Sequence, residues 1–382
     1  GTYVAGVYNR LVDVVDGEHL DHESLVNLPN WALLEFRTDG GDWFSMDRSE
    51  VLEHTLTLDM RQAQLIRELR FRDGSGQVTR VTQRRLVHRN DPHLAALETS
   101  FRPDGWSGGI EVRSGIDGDV ENNGVKRYRD LGRRHLRVEQ TWAPADDIVA
   151  LVAETTGSRI RIAEAVRTRV LGALGPVERT LEESHGSIGH HLVVPVTDGD
   201  EVVIEKVAAV YTSRDQGIYE PGDHAVRHVG CLVGYDDLAV SNTRGWAHVW
   251  RRADIRIEGS EDLARGLSLQ LFHLHQVISK HTTSLDVGVP ARGLTGEAYR
   301  GHIFWDELFI FPFLSLRLPT LTRALLLYRY RRLPAARHAA ETAGLRGAMF
   351  PWQSGSNGRE ETDVMYLNPR AGTWIRDDTH LQ

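Results

Sequence analysis

Alternation of apolar and polar positions dominates roughly the first 225 residues of the chain. Segments 108–116, 135–142, 190–196 and 201–212 are rich in β-branched residues or alternate with a period of two, which is typical of strands. Turn-forming clusters such as DGSGQ, DGDVENNG and VTDGDE separate them. Many short strands divided by glycine-rich turns predict an antiparallel β-sandwich.

The hydrophobic period changes after about residue 226. Ser260 is a suitable N-cap for a helix that follows it, and two acidic residues suit the positive end of that helix. Further on, LTRALLLYRYRRL has helical spacing, and Pro334 predicts a last helix that Gly344 ends. Apolar residues three and four positions apart give the first of these helices one apolar stripe, formed by Leu263, Leu267, Leu271, Leu274 and Ile278.

The two periods divide the chain into parts. We predict a β-sandwich domain over residues 1–225, a linker over 226–258 and a helical region over 259–382. More than one domain is expected because single cores rarely grow beyond roughly 250–300 residues. The predicted class is therefore a multidomain protein with strands first and helices afterwards.

Composition argues against several classes of protein, among them nucleic-acid-binding and membrane proteins. The net charge of −8 disfavours a nucleic-acid partner, which would require a basic face. Cys231 is the single cysteine, so no disulfide forms within the chain. The sequence shows no signal-like segment and no apolar run near the roughly 20 residues that cross a membrane. We therefore expect a soluble, cytoplasmic protein without a membrane partner.

In the segment GLTGEAYRGHIFWDELFIFPFL, residues 293–314, side chains that can bind a ligand or take part in a reaction come before an apolar run. Trp305 next to Asp306 suits a sugar, because an aromatic ring covers the C–H face and a carboxylate accepts hydroxyl hydrogen bonds. Arg300 and Glu297 add a donor and an acceptor. The structural alternative is that Trp305 belongs to the core and Asp306 caps the following helix.

A second aromatic and polar cluster lies in GAMFPWQSGSNGREETD, residues 347–363. Trp352 precedes a loop that carries Glu360, Glu361 and Asp363, and paired carboxyl groups can act as acid and base in glycoside cleavage. The alternative is a solvated acidic loop. The chain contains no Walker loop, GxGxxG, HExxH or CxxC motif, so we expect no metal and no organic cofactor.

In this order, the two clusters resemble glycoside hydrolase family 65, which contains phosphorylases and hydrolases of α-linked glucose disaccharides. The resemblance extends to GTYVAGVYNR, LVNLPNWALLEFRTDGGDWF, LDMRQAQLIRELRFRD and HRNDPHLAALE, and it covers nearly the whole chain. It implies an N-terminal antiparallel β-sandwich, a helical linker and an (α/α)6 barrel. Only the first helices of that barrel would lie in this chain, which we expect to be an internal segment of a longer protein.

The resemblance also implies roles for individual residues. Trp305 and Asp306 would line the subsite of the transferred glucosyl unit, Trp352 would contribute to the same pocket, and Arg300 and His302 would support it from behind. The implied reaction inverts the anomeric carbon. A glutamic acid protonates the leaving oxygen, and inorganic phosphate attacks from the opposite face to give β-glucose 1-phosphate.

The general acid is expected at or just after position 382, where the chain has Gln382, which cannot donate an acidic proton. Asp377 and Asp378 are the nearest other carboxyl groups, and Glu360 and Glu361 are weaker candidates. A disaccharide phosphorylase is the leading interpretation. The alternatives are an inverting hydrolase of the acid-trehalase type and a non-catalytic carbohydrate-binding relative. A small disaccharide is the expected partner, with a homodimer as a further expectation.

Overall fold

The computed structural model describes residues 1–294 and 297–376, and it begins with strands. A separate hairpin of β1 and β2 precedes two larger antiparallel sheets. The strands are β1 (Tyr8–Val15), β2 (Glu18–Leu25), β3 (Leu34–Thr38), β4 (Glu50–Asp59), β5 (Gln64–Arg72), β6 (Val78–Val87), β7 (Leu94–Asp104), β8 (Gly108–Asp117), β9 (Leu136–Ala145), β10 (Ile148–Thr155), β11 (Arg161–Leu171), β12 (Glu178–Ser184), β13 (Ser187–Val196) and β14 (Val202–Thr212).

The two larger sheets form a sandwich. The eight-stranded sheet has the order β4-β5-β6-β7-β14-β11-β10-β9, and the four-stranded sheet has the order β12-β13-β8-β3. Every second side chain of a strand points into the space between the sheets. Val112 and Leu192 of the smaller sheet therefore pack with Phe101 and Ile204 of the larger one. The predicted antiparallel sandwich is confirmed.

Helices follow the sandwich, as the change of period predicts. They are α1 (Pro221–Cys231), α2 (Tyr235–Ala253), α3 (Glu261–Val277), α4 (Glu307–Arg317), α5 (Pro319–Arg331) and α6 (Leu333–Thr342). Short strands β15 (Ile303–Phe304), β16 (Gln353–Ser354), β17 (Met365–Asn368) and β18 (Thr373–Arg376) lie among or after them. None of the described helices is long and apolar enough to cross a membrane.

The first two helices lie against the sandwich. Ala225 and Val229 of α1 pack on Ala163 and Ala165 of the large sheet. Helix α2 connects both halves, because Trp250 contacts Met60 of the sandwich as well as the core of α3. The proposed limits at residues 225 and 258 stay predictions.

The caps of the later helices follow the sequence signals. The Ser260 side chain accepts a hydrogen bond from the Leu263 amide and so caps α3. At the end of α6, Gly344 has φ 71°, and the amide of Leu345 donates to the Ala340 carbonyl. Within the apolar stripe, Leu263 is exposed because the contacts of α3 with the α2 tryptophans begin one turn later, at Leu267.

A carboxyl group lies buried inside the sandwich. Glu164 on β11 is on the same face as Val166, which packs between the sheets, and neither carboxyl oxygen has a hydrogen-bond partner among the described residues. Burial raises the pKa of Glu164 well above its usual value. The buried Lys206 instead donates to the carbonyls of Leu33 and Gly115. Glu164 therefore favours its neutral form in the folded chain.

We expect Glu164→Gln to remove a stability penalty that grows with pH. The folded-state pKa lies above the unfolded value, so the wild type loses stability as pH rises from the unfolded pKa towards the folded one. The loss is about 1.4 kcal/mol per pH unit across that interval. Chemical denaturation at about pH 5 and about pH 8 gives the free energy of unfolding of both proteins. The difference between variant and wild type should favour the variant more at the higher pH. Glu178→Gln, on an exposed strand, is the control; an equal difference at both pH values would contradict the prediction.

Candidate active site

The chain bends sharply just before α4. Tyr299, Arg300 and Gly301 lie consecutively in the left-handed region, with φ values of 55°, 53° and 68°. This conformation costs roughly 1–2 kcal/mol for each residue that has a Cβ atom. The Tyr8 hydroxyl of β1 donates to the Gly301 carbonyl at 2.5 Å, which fixes the bend on the first hairpin. Strain of this kind persists where surrounding contacts hold it.

Glu297 and His302, on either side of the bend, are buried against the sandwich domain. Glu297 accepts hydrogen bonds from the Tyr3 hydroxyl at 3.0 Å and the Gly124 amide at 2.9 Å. His302 donates through Nε2 to the Glu23 carbonyl at 2.8 Å, and burial together with the charge of Arg300 lowers its pKa to about 4. These contacts hold the domains together and keep His302 neutral.

Arg300 occupies a third position in this contact region. Its Nη2 atom lies 2.9 Å from a carboxyl oxygen of Asp363, and its guanidinium stacks on the ring of Tyr128 at 4.8 Å. Because Tyr128 belongs to the sandwich domain, Arg300 connects that domain to the loop after Trp352.

Trp305, Asp306 and Trp352 form a different, exposed surface. The rings of Trp305 and Trp352 have centroids 5.6 Å apart, and 41% and 55% of these residues are exposed. The Asp306 side chain makes no hydrogen bond or ion pair with any described residue. The structural alternative therefore fails on both counts: Trp305 is not in the core, and Asp306 does not cap α4 with its side chain. An open aromatic surface beside an available carboxylate suits sugar binding.

Pairing of two short strands brings the two tryptophans together. In the β15–β16 pair, Ile303 is opposite Ser354 and Phe304 is opposite Gln353. The amide of Trp305 also donates to the Trp352 carbonyl at 3.3 Å. The two sequence clusters, almost fifty positions apart, thus form one surface.

Glu360 and Glu361 hold the loop that carries Trp352. Glu360 accepts hydrogen bonds from the amides of Trp352 and Thr362 at 2.7 and 3.0 Å. Glu361 is buried, with carboxyl oxygens 2.6 Å from Arg10 and 2.7 Å from Arg359. These contacts give both carboxylates positioning roles and do not support either as an acid facing a sugar.

The first hairpin supplies the other half of this network. Glu23 of β2 accepts hydrogen bonds from the Ser356 amide at 2.8 Å and from its hydroxyl at 2.5 Å. Asp21 lies 3.1 Å from Arg10 and 2.9 Å from Arg359. The loop after Trp352 is therefore anchored to residues more than three hundred positions earlier, which no sequence pattern indicates.

Glu307 is a further titratable group that the sequence analysis does not single out. It follows Asp306 but is buried, and its Oε1 atom accepts from the Val289 amide at 2.8 Å. Burial raises its pKa to about 7, although the Val289 hydrogen bond and the charge of Arg329 act in the opposite direction. The hydrogen bond with the Val289 amide holds the Glu307 carboxyl group inside the protein at the start of α4.

The proposed acids Asp377 and Asp378, and position Gln382, lie outside the described residues.

Comparison with known proteins identifies the family. Residues 1–249 match the N-terminal domain of glycosyl hydrolase family 65, and residues 268–382 match the central catalytic domain of that family. The chain therefore belongs to glycosyl hydrolase family 65, which confirms the resemblance found in the sequence.

Individual relatives agree with this assignment. An uncharacterized glycosyl hydrolase of Mycobacterium tuberculosis is 48% identical over 379 residues, covering 99% of this chain and 28% of that protein. The trehalose 6-phosphate phosphorylase of Lactococcus lactis is 32% identical over 384 residues, covering 100% of this chain and 48% of the relative. A kojibiose phosphorylase of Caldanaerobacter subterraneus is 32% identical over 373 residues, covering 95% of this chain and 47% of the relative. The chain thus spans half or less of the length of these relatives.

A solved structure shares the fold. A protein from the human microbiome, provisionally named a kojibiose phosphorylase, superposes with a TM-score of 0.82 at 19% identity. The superposition covers 95% of this chain and 47% of that chain. This likeness supports the predicted architecture, in which α3–α6 begin an (α/α)6 barrel.

We expect Gly355→Ala to release the Trp352 loop from the first hairpin. A Cβ atom at this position would lie 1.8 Å from the Glu23 carboxylate, so Glu23 must turn away from Ser356. Loss of one such hydrogen bond, worth about 1.4 kcal/mol, would speed exchange of the Ser356 amide about 10-fold. Hydrogen exchange measured by mass spectrometry over residues 353–361 checks this. Gly266→Ala, with open space around its helix position, is the control; unchanged exchange at Ser356 would contradict the prediction.

Proposed function

We propose that the complete polypeptide containing this chain is an inverting phosphorylase of an α-linked glucose disaccharide, which releases β-glucose 1-phosphate and glucose. The observation that carries the proposal is the exposed surface of Trp305, Asp306 and Trp352, with an aromatic pair beside a carboxylate that has no partner among the described residues. Relatives named as phosphorylases of trehalose 6-phosphate, kojibiose and trehalose support the reaction type.

The geometry favours binding of one glucosyl unit at this surface. The ring of Trp305 or Trp352 can cover the apolar C–H face of a pyranose, while Asp306 accepts hydrogen bonds from its hydroxyls. Since no described group already occupies Asp306, binding would not require breaking an existing contact. The first hairpin holds the Trp352 loop in place, which reduces the entropy lost when the sugar binds.

The remaining chemistry belongs to the family mechanism. A carboxylic acid, expected at or just after Gln382, would protonate the leaving oxygen while inorganic phosphate attacks the opposite face. Phosphate is thus the co-substrate, and no metal or organic cofactor is part of the proposal. The proposal also includes a cytoplasmic location and a homodimer.

An inverting hydrolase is the second candidate, because the relative from Mycobacterium tuberculosis carries the name glycosyl hydrolase. The two functions differ in the nucleophile, which is phosphate in one case and water in the other. Incubating the complete polypeptide with α-linked glucose disaccharides, with and without phosphate, separates them by proton NMR of the products. β-Glucose 1-phosphate formed only with phosphate supports the phosphorylase. Free β-glucose regardless of phosphate supports the hydrolase, and no turnover contradicts both.

We expect Asp306→Ala to lower the rate of disaccharide turnover by at least about 100-fold, because charge-assisted hydrogen bonds to the glucosyl unit are lost. The exposed position of Asp306 predicts an unchanged unfolding temperature, since no described residue depends on it. The assay is the same product measurement, in parallel with thermal unfolding. Asp262→Ala on the exposed side of α3 is the control. Full activity of the Asp306 variant would remove Asp306 from the sugar site.

A further inference from the structure

An open cavity of about 640 Å³ lies where α2 meets the turn between β4 and β5. The turn contributes Arg61 and Gln62, helix α2 contributes Thr243 and Arg251, and the segment after α2 contributes Arg256. Three separate parts of the chain thus converge on this cavity. None of its lining residues belongs to the proposed sugar-binding surface.

Contacts within the protein fix the walls of this cavity. Asn242 on α2 donates a hydrogen bond to the Gln62 carbonyl at 2.8 Å, which joins the helix to the turn. The indole of Trp250, on a buried wall, donates to the Met60 carbonyl at 2.9 Å. The cavity therefore has its shape before any ligand arrives, which limits the entropy lost on binding.

Positive charge dominates the lining. Among the described residues that line the cavity, Arg61, Arg251 and Arg256 face Asp254 as the single carboxylate. Asp254 already pairs with Arg61 at 3.2 Å, and the Arg61 guanidinium stacks on the Trp250 ring at 4.8 Å. A cation in the last turn of α2, such as Arg251, suits the negative end of that helix. The other two arginines lie outside the helix, so the helix dipole does not account for the group. A concave wall of one charge sign attracts ions of the opposite sign.

The free polar groups of the cavity are mainly hydrogen-bond donors. The Arg256 side chain makes no ion pair or hydrogen bond with any described residue, and the guanidinium of Arg251 reaches only a ring nitrogen of His248, at 3.3 Å. The side-chain amide nitrogen of Gln62 also donates to nothing in the described part of the chain. A sugar hydroxyl both donates and accepts, whereas an oxyanion only accepts. The lining therefore suits an oxyanion.

Phosphate fits this lining better than a carboxylate. A phosphate monoester carries about two negative charges near neutral pH and has three acceptor oxygens, so more than one guanidinium can bind it at once. The planar guanidinium group also matches two phosphate oxygens with two parallel hydrogen bonds. A volume of about 640 Å³ exceeds the size of one phosphate ion and leaves room for an attached organic group.

We propose that this cavity binds a phosphate group, carried by a small metabolite or free in solution, through Arg61, Arg251 and Arg256. We expect an ester to bind more tightly than inorganic phosphate, because the cavity has space for more than the ion. A bound phosphate would connect the turn of the sandwich domain to the segment that leads into α3. This site goes beyond the proposed function and does not depend on it.

Arginine modification by phenylglyoxal, followed by peptide mass spectrometry, tests the site residue by residue in the complete polypeptide. The probes are glucose 6-phosphate and inorganic phosphate, and glucose and acetate are the comparisons, all at one ionic strength. At about ten times its dissociation constant, a probe should slow modification of Arg251 and Arg256 about 10-fold, because the reagent reacts with the empty site. Arg244, an exposed arginine of α2 outside the cavity, is the matched control.

The probes distinguish the sources of the phosphate group. Stronger protection by glucose 6-phosphate identifies an ester, and equal protection by inorganic phosphate identifies the free ion; both results support the site. Equal protection by acetate, an equal effect at Arg244, or no protection by either phosphate would overturn it.

A variant tests the same site without reference to turnover. Arg256→Gln removes the charge and should raise the dissociation constant, measured from protection of Arg251, about 10-fold. The unfolding temperature should not change, since the Arg256 side chain has no hydrogen bond or ion pair among the described residues. Arg244→Gln is the control variant. Wild-type protection in Arg256→Gln would overturn the assignment whether or not the disaccharide assay shows turnover, so this inference and the proposed function fail separately.

Discussion

The close contact between the bend at residues 299–301 and the first hairpin is the constraint on which the rest of the site depends. A Cβ atom on Gly301 would lie 2.4 Å from the Leu25 side chain, so this position has room for glycine alone. The Tyr8 hydroxyl holds the Gly301 carbonyl from the same hairpin. This contact offsets the strain of the two non-glycine residues before it and sets the direction in which the chain enters β15 and α4.

The hairpin supports the sugar-binding surface on two sides. On one side it fixes the bend that leads to Trp305 and Asp306, and on the other side Glu23 and Arg10 hold the loop that follows Trp352. Glu361 and Glu23 are almost fully buried, so removing Arg10, which pairs with both, would leave Glu23 without an ion-pair partner among the described residues. The sandwich domain is thus part of the site's architecture and does more than cover the barrel.

Local signals in the sequence predicted the elements well. Ser260 caps α3 and Gly344 ends α6 because both effects involve residues within a few positions, and period-two alternation marked strands such as β13 and β14. Leu263 belongs to the apolar stripe of α3 and is nevertheless exposed, since helical spacing shows a stripe but does not show where a neighbouring helix begins to cover it.

The site was predictable only in part. Trp305, Asp306 and Trp352 came from motifs, and β15–β16 pairing brings them together. Their support from Tyr8, Arg10 and Glu23 could not be predicted, because contacts across about 290 to 350 positions leave no period in a single sequence. Glu297 shows the same limit: its carboxylate suited a sugar, while the fold uses it against the sandwich domain.

The most direct test of this account is a crystal structure of the complete polypeptide soaked with its α-linked disaccharide, or with a non-reacting analogue of it. We predict one glucosyl ring stacked on the surface formed by Trp305 and Trp352, with a hydroxyl bonded to Asp306. A sugar bound at another surface, with the Asp306 carboxylate still without a partner, would contradict it.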